Sequence, residues 1–285
     1  MPTLNNYGGL NAEYSNYKNS RFVILPVPYD ETSTWGKGAD RGPKALIEAS
    51  QVMELYDIES DSEPYKAGIF TDKPVLEKAT PEKMVQAVEK RVSEHLKNKK
   101  IVALLGGEHS VSFGAIKANA LKEKISVLHL DAHSDMRDSF HGSIYNHGCV
   151  MARAKDLCPI VQVGIRSMDI SEKKNINKKS IFFASDIYNK KDWIKKCVSF
   201  LKDKVYISLD LDVFDPSVLP STGTPEPGGL DWYLVQDLLE ATIKTKKIVG
   251  FDVVELAPNK IDKASDFLAA KLVYKIISYI NKYGK

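Results

Sequence analysis

The chain has 285 residues, and its content of 43% hydrophobic and 27% charged residues is typical of a globular protein. A net charge of only +3, without a long basic run, argues against a nucleic-acid partner. No apolar run has the length of a membrane-spanning helix, and the first residues lack a signal-peptide pattern, so we expect no membrane partner. Three cysteines without metal-site spacing indicate reduced thiols and a cytoplasmic location, and they are Cys149, Cys158 and Cys197.

Predicted strands and helices alternate along the chain. Residues 1–20 are rich in Asn, Tyr, Ser and Gly, and we expect them to form an irregular N-terminal arm that would suit a subunit contact. Residues 21–285 are expected to form a single domain, because no linker or repeat divides them. The polar sequence of residues 57–80 predicts irregular structure. Apolar runs predict strands at residues 21–28, 101–105, 125–130, 160–165, 181–183, 205–209 and 247–254.

Helix-start signals mark the segments between these strands. Pro43 stands at a first-turn position, and Thr80 is a good N-cap before Pro81. Other helices are predicted at residues 111–124, 193–201 and 265–282, and after Asp231 as an N-cap. This alternation predicts a three-layer α/β/α fold with a mostly parallel central sheet.

Metal-binding side chains follow one buried strand at alternate positions. Asp131, His133 and Asp135 come directly after the apolar run 125–130. Side chains alternate in extended chain, so we expect these three to point the same way. Two carboxylates and an imidazole placed together at a strand end are costly unless a cation lies among them. The motif therefore predicts a divalent metal site.

Two more strands end in the same kind of residue. Asp210 and Asp212 follow the run 205–209, and His109 follows 101–105 through a Gly-Gly turn. The carboxyl ends of parallel strands are where open α/β sheets bind ligands. Four carboxylates would be neutralised by two divalent ions, which can deprotonate a bridging water near neutral pH. The oxygen-rich, sulfur-free set favours two Mn²⁺ over Zn²⁺ and leaves Fe, Co and Ni open.

Several separated blocks of the sequence resemble those of the ureohydrolases, the family of arginases, agmatinases, guanidinobutyrases and formiminoglutamases. The three metal motifs correspond to residues 106–110, 131–135 and 208–217. The resemblance covers about residues 21 to 275 and is closest to agmatinases. It implies an arginase-like fold, a hydrolase that acts on linear amidines, and a homo-oligomer, either a trimer or a hexamer. Further matching blocks are Pro28-Tyr29-Asp30, Asn146-His147-Gly148, Gly164-Ile165-Arg166, residues 224–230 and residues 250–255.

The resemblance also implies a role for each residue of the site. His109 and Asp135 would bind one manganese, and His133 and Asp212 the other, while the carboxylates of Asp131 and Asp210 would bridge both. His147 matches the proton-handling histidine of the family, and Glu255 matches the carboxylate that holds the substrate guanidinium. A carboxylate suits that task because a guanidinium stays protonated and its planar fork is bound bidentately.

These roles suggest a mechanism as a hypothesis. A metal-bridging hydroxide attacks the guanidinium carbon, and Asp135 receives its proton and passes it to the departing amine. His147 is the candidate proton shuttle, because histidine titrates near neutrality. We interpret His129 as a supporting or satisfied core histidine, His141 as a solvated loop residue and His95 as structural.

The substrate tail is expected to contact the loop of residues 136–147. The run of small hydroxyl and amide side chains by which arginases bind an amino-acid head is missing there. We therefore predict agmatine as the substrate, a small cationic guanidino compound hydrolysed to putrescine and urea in polyamine biosynthesis. N1-aminopropylagmatine and arginine remain alternatives. Arg137 keeps guanidinobutyrate open as well, because its charge could bind a carboxylate tail.

Two alternatives belong to other classes of protein. Metal-dependent deacetylases resemble ureohydrolases in fold, but they bind one zinc and lack the doubled ligand set. A non-catalytic relative is disfavoured because every metal position is occupied by a ligand residue. Metal stoichiometry and urea release distinguish these alternatives.

Overall fold

A single sheet forms the centre of the computed structural model, which describes residues 5–188, 190 and 192–284. Within those residues the sheet has eight strands and every pairing is parallel. The strands are β1 (Phe22–Val27), β2 (Ile69–Thr71), β3 (Ile101–Gly106), β4 (Ser126–Leu130), β5 (Ile160–Ile165), β6 (Ile181–Phe183), β7 (Lys204–Asp210) and β8 (Lys247–Val254). Their order across the sheet is β2-β1-β3-β8-β7-β4-β5-β6. The predicted parallel α/β sheet is confirmed.

Helices connect most of the strands. They are α1 (Ala12–Ser15), α2 (Gly42–Ser50), α3 (Pro81–Lys97), α4 (Ser112–Lys122), α5 (Val150–Ala154), α6 (Ala184–Ile187), α7 (Trp193–Phe200), α8 (Trp232–Thr245) and α9 (Ala264–Tyr283). The start signals are confirmed at α3 and α8. The Thr80 side chain accepts a hydrogen bond from the backbone N–H of Lys83, and that of Asp231 accepts one from Leu234. Among the described residues no helix combines the length and the apolar character that crossing a bilayer requires.

Alternate side chains of each strand enter cores on opposite faces of the sheet. In β3, Ala103 and Leu105 pack with α2 and α9, whereas Val102 and Leu104 pack with α3 and α4. Both faces are therefore covered by helices, as parallel sheets require. The predicted three-layer arrangement is confirmed.

Three segments differ from the sequence-based expectations. Strand β2 lies in the region 57–80 that was expected to be irregular, because three residues on a sheet edge are too short to show periodicity. No element was predicted between residue 148 and β5, where the structure has the short helix α5. The described part of the N-terminal segment contains α1, and its Tyr7 is fully buried with its hydroxyl donating to the Ala270 carbonyl at 2.7 Å. That residue packs into its own chain.

The sheet order explains where the site can form. Strands β3, β8, β7 and β4 are consecutive in the middle of the sheet, and all four run in the same direction. Their carboxyl ends therefore lie side by side at one edge, where the four segments that carry the predicted site residues begin.

Candidate metal centre

One cavity at the carboxyl edge of the sheet collects the predicted site residues. Asp131 is completely buried, and its Oδ2 lies 3.1 Å from Nδ1 of His109, which lines the cavity. The other seven line the cavity, and they are His109, His133, Asp135, His147, Asp210, Asp212 and Glu255. Segments more than 140 residues apart in sequence are thus brought to one place.

Three carboxylates surround one ring nitrogen of His109. The Nδ1 atom lies 3.1 Å from Oδ2 of Asp131, 3.1 Å from Oδ2 of Asp135 and 3.4 Å from Oδ2 of Asp210. Ligand atoms that each bind one ion at about 2.1 Å are about 3 Å from one another. The spacing of these atoms therefore fits a shared cation.

Hydrogen bonds on the far side of the ring support the same conclusion. The Ser208 hydroxyl donates to Oδ1 of Asp252 at 3.0 Å, so it accepts from Nε2–H of His109, also at 3.0 Å. The proton of a neutral His109 is then on Nε2, and Nδ1 presents a lone pair to the carboxylates. Nδ1 is buried and has no hydrogen-bond partner among the described residues. A divalent cation is the partner that a lone pair and three carboxylates require.

A second cluster lies beside the first and shares one residue with it. Nδ1 of His133 is 2.9 Å from Oδ2 of Asp212 and 3.6 Å from Oδ1 of Asp131. Asp131 thus directs one oxygen to each cluster, and both groups of potential metal ligands contain it. This arrangement fits two ions bridged by the Asp131 carboxylate.

The pKa values of the clustered groups show how strongly the site requires positive charge. Burial, with the charge of Asp131, raises the pKa of Asp135 to about 6. Burial and the neighbouring carboxylates raise the pKa of Asp210 well above its ordinary value. Burial alone would lower the pKa of His133, but Asp212 and Asp131 outweigh it and raise that pKa to about 12. The raised pKa values mean that these groups hold protons to reduce their mutual repulsion, a task that bound divalent ions would perform instead.

His129 also lies near the first cluster, but its hydrogen bonds give it a different role. Its Nε2 is 2.8 Å from Oδ2 of Asp131, and its Nδ1 is 3.1 Å from Nε2 of Gln162. The Gln162 amide can only donate from that nitrogen, so Nδ1 accepts and Nε2–H donates to Asp131. His129 therefore orients the shared carboxylate from behind, as partners of metal ligands commonly do. This agrees with the interpretation made from the sequence.

Asp135 and Glu255 both have left-handed backbone, with φ of 52° and 67°. Non-glycine residues rarely adopt this conformation, and it is concentrated at functional sites. At Asp135 it also corrects an expectation, because the chain is not extended at this residue, although its carboxylate still reaches His109.

His147 reaches the cavity from the loop before α5 and is held by the loop after β1. Its backbone N–H donates to Oγ1 of Thr32 at 3.1 Å, and its Nδ1 lies 3.2 Å from the same oxygen. Burial, together with the charge of His133, lowers the pKa of His147 to about 4. The imidazole is therefore neutral near pH 7, and its pKa lies below the near-neutral value expected of a histidine from the sequence.

Several residues that line the cavity or hold its loops were given no role by the sequence. Trp35, 81% exposed, lies at the cavity together with Phe140 and Asp169. Glu108 is fully buried and holds Thr32 through hydrogen bonds. Single sequence positions gave no signal for these contacts, because they join loops far apart in the chain. His141 is exposed, as the sequence suggested.

Comparison with known proteins agrees with this site. The model of the Arginase family matches residues 20–278. The chain belongs to the arginase family. The resemblance to ureohydrolases found in the sequence is confirmed, and with it the prediction that the protein is a hydrolase.

Curated relatives match this ureohydrolase over nearly its whole length. It is 40% identical over 267 residues to the N(1)-aminopropylagmatine ureohydrolase of Thermus thermophilus, covering 92% of this chain and 90% of that one. It is 36% identical over 277 residues to the enzyme of the same name from Synechocystis, covering 93% and 90%. The solved agmatine ureohydrolase of Thermoplasma volcanium superposes with a TM-score of 0.87 at 32% identity, covering 98% of this chain and 95% of that one. The arginase-like fold is confirmed.

Proposed function

We propose that this ureohydrolase hydrolyses the guanidinium of an agmatine-type substrate, which carries a guanidinium at one end of a butyl chain and an amine at the other. The observation that carries the proposal is the position of the Glu255 carboxylate, in the same cavity as the His and Asp clusters. Burial and the charge of Glu108 raise the pKa of Glu255 well above its ordinary value. A bound guanidinium would favour its ionised form and neutralise its charge.

The residues around the cavity divide the chemical work. Glu255 holds the guanidinium and orients its carbon toward the clusters. His109, Asp131, Asp135, Asp210, His133 and Asp212 would hold two divalent ions, which we propose to be Mn²⁺ because the set is oxygen-rich. Bound ions of this kind make hydroxide available as a nucleophile at neutral pH.

Two residues manage the protons of the reaction. Asp135, which lies beside His109 in the cavity, takes the proton of the attacking water and delivers it to the nitrogen that leaves. Its raised pKa suits a group that gains and then loses a proton. His147 exchanges protons between the cavity and solvent. The products are urea and an amine.

The charges in the outer cavity favour a substrate whose tail ends in an amine over one whose tail ends in a carboxylate. Arg137, whose charge could have bound guanidinobutyrate, is already committed to acidic partners. Its Nε lies 3.6 Å from Glu172, its Nη1 lies 3.8 Å from Asp169, and its guanidinium is 4.5 Å from the centre of the Phe140 ring. A compensated arginine offers little attraction to an incoming carboxylate, so agmatine fits better than guanidinobutyrate.

N1-aminopropylagmatine is the second candidate substrate. Two relatives at 36% and 40% identity bear its name, whereas the sequence alone had favoured agmatine. The exposed Trp35 at the cavity offers an aromatic face to a second, more distant ammonium. A homo-oligomer and a role in polyamine synthesis remain predictions of the resemblance.

The deciding experiment is urea release by protein loaded with Mn²⁺, measured on agmatine, N1-aminopropylagmatine, arginine and guanidinobutyrate in parallel. We expect kcat/KM for the first two to exceed that for the others. A preference for guanidinobutyrate would contradict the interpretation of Arg137. No urea from any of them, with two ions bound, would contradict the proposed function.

A further inference from the structure

The hydroxyl of Thr32 makes three contacts, and together they use all of its hydrogen-bonding capacity. A hydroxyl has one donor and two acceptor positions. Oγ1 of Thr32 lies 2.5 Å from Oε1 of Glu108, 3.1 Å from the backbone nitrogen of His147 and 3.2 Å from Nδ1 of His147. The backbone N–H can only donate, so it takes one acceptor position.

Glu108 decides where the hydroxyl proton goes. Its Oε2 accepts from the backbone N–H groups of Thr32 and Ser33, at 2.5 and 2.9 Å. Its Oε1 receives the Ser110 hydroxyl at 2.6 Å in addition to Thr32. These four donors occupy all the acceptor positions of an ionised carboxylate. Burial raises the pKa of Glu108, and the same hydrogen bonds oppose that rise. The Thr32 proton therefore points to Glu108.

The Thr32 hydroxyl then has only an acceptor position left for Nδ1 of His147, so Nδ1 must carry the proton of this hydrogen bond. We propose that Thr32 is a positioning residue that holds neutral His147 in the Nδ1–H tautomer and leaves the Nε2 lone pair free for the cavity. Glu108 fixes the direction of the Thr32 hydroxyl and thereby the tautomer. Nε2 has no hydrogen-bond partner among the residues that the structure describes, and His147 lines the cavity. The nitrogen that can accept a proton therefore faces the site.

This inference rests on the proposed function only for the task of His147, since the tautomer itself is a property of the resting protein. The wrong tautomer would present N–H to the cavity and leave the imidazole unable to accept a proton there. Catalytic acid–base groups contribute roughly 10²–10⁴-fold to rate. We therefore expect loss of the Thr32 hydroxyl to lower kcat on the order of tenfold, with little change in KM.

The first measurement is of the tautomer. Protein labelled with ¹⁵N-histidine and loaded with Zn²⁺, which unlike Mn²⁺ does not broaden the signals, is observed by long-range ¹H–¹⁵N correlation near pH 7. The signals of His147 are assigned by their absence from His147→Asn. We expect the wild-type protein to show a protonated Nδ1 and an unprotonated Nε2. The opposite pattern would overturn the proposal, even if the protein releases urea.

The second measurement uses a matched pair of variants. Thr32→Val keeps the shape but removes the hydroxyl, whereas Thr32→Ser keeps the hydroxyl. We expect the valine variant to lose kcat about tenfold and the serine variant to stay within about threefold of wild type, with metal content unchanged in both. In a His147→Asn background, Thr32→Val should cause no further loss. Equal losses of kcat in Thr32→Val and Thr32→Ser would show that the role of Thr32 is merely structural. The same would follow if Thr32→Val lowered kcat as strongly in the His147→Asn background as in wild type.

Discussion

Glu255 is joined to the loop that carries His109 by two hydrogen bonds, one to His109 itself and one to Gly107. The backbone N–H of His109 donates to Oε1 of Glu255 at 2.7 Å, and the backbone N–H of Glu255 donates to the Gly107 carbonyl at 2.8 Å. The loop that carries His109, a proposed metal ligand, and the residue proposed to hold the guanidinium therefore have a fixed relation. Metal binding and substrate orientation are set by the same backbone.

Replacing Glu255 with Gln should separate these two functions. The amide oxygen can still accept from His109, so two ions should remain bound. The lost charge should lower kcat/KM by on the order of 100-fold or more, because removing one partner of a buried charge pair costs about 2–5 kcal/mol. Steady-state kinetics and elemental analysis measure the two effects. Glu48→Gln, at an exposed position of α2, is the control and should behave as wild type.

Asp210→Ala should reduce the metal content below two ions per chain and abolish urea release together, because one of the carboxylates around His109 is removed. Elemental analysis after dialysis against dilute Mn²⁺ gives the stoichiometry. The exposed Asp237 of α8 supplies the matched control, Asp237→Ala. A variant at position 210 that keeps both ions and full activity would show that Asp210 is not a ligand.

His129→Phe should weaken metal binding without removing an ion. Its Nε2–H donates to Asp131, and loss of such a supporting contact typically costs 10–100-fold in affinity. Titration against a competing chelator measures this, with His141→Asn as control because asparagine tolerates the positive φ of 46° at that position. A stoichiometry of one ion would instead make His129 a ligand.

Trp35→Ala should change substrate preference more than overall activity. An exposed cation–π contact contributes about 0.5–1 kcal/mol, so kcat/KM for N1-aminopropylagmatine should fall about two- to fivefold. Agmatine, which lacks the outer ammonium, should be affected less. Trp35→Phe keeps an aromatic ring and should retain part of the preference. Equal losses for both substrates would place the second ammonium away from Trp35.

Asp72 predicts a pH dependence of stability away from the site. Burial alone would raise the pKa of Asp72, but hydrogen bonds from His95 and Arg91 outweigh it and lower that pKa below its ordinary range. A carboxylate whose pKa is lower in the folded state stabilises the fold above its unfolded pKa of about 3.9, and this contribution is lost as the pH falls further. The free energy of unfolding should therefore differ between wild type and Asp72→Asn by a constant amount above about pH 5.

That difference should shrink below about pH 4. Denaturant unfolding in the presence of a chelator measures it without a contribution from metal loss at low pH. Asp237→Asn, which changes an exposed carboxylate, should show no such trend. A difference that persists undiminished at low pH would contradict the role given to Asp72.

Local sequence patterns predicted most of the fold and most of the side chains that the structure brings together at the cavity. The apolar strands were long enough to show their periodicity, and Asp131, His133 and Asp135 stand next to one of them. The edge strand β2 was too short to predict. The tautomers of His109 and His147 depend on Ser208 and Thr32, which are distant in sequence and become partners only when the sheet forms. The substrate tail depends on loops, whose side chains follow no period.

Strand β8 also determines when the site can come into existence. It is the last strand in the chain and lies between β3 and β7, so without it the sheet consists of two halves with no hydrogen bonds between them. During synthesis, His109 on the half that contains β3 would wait for residues 247–254 to insert before meeting the proposed ligands that follow β4 and β7. Metal capture should therefore be one of the final events of folding, and a nascent chain that ends before residue 247 should bind no pair of ions.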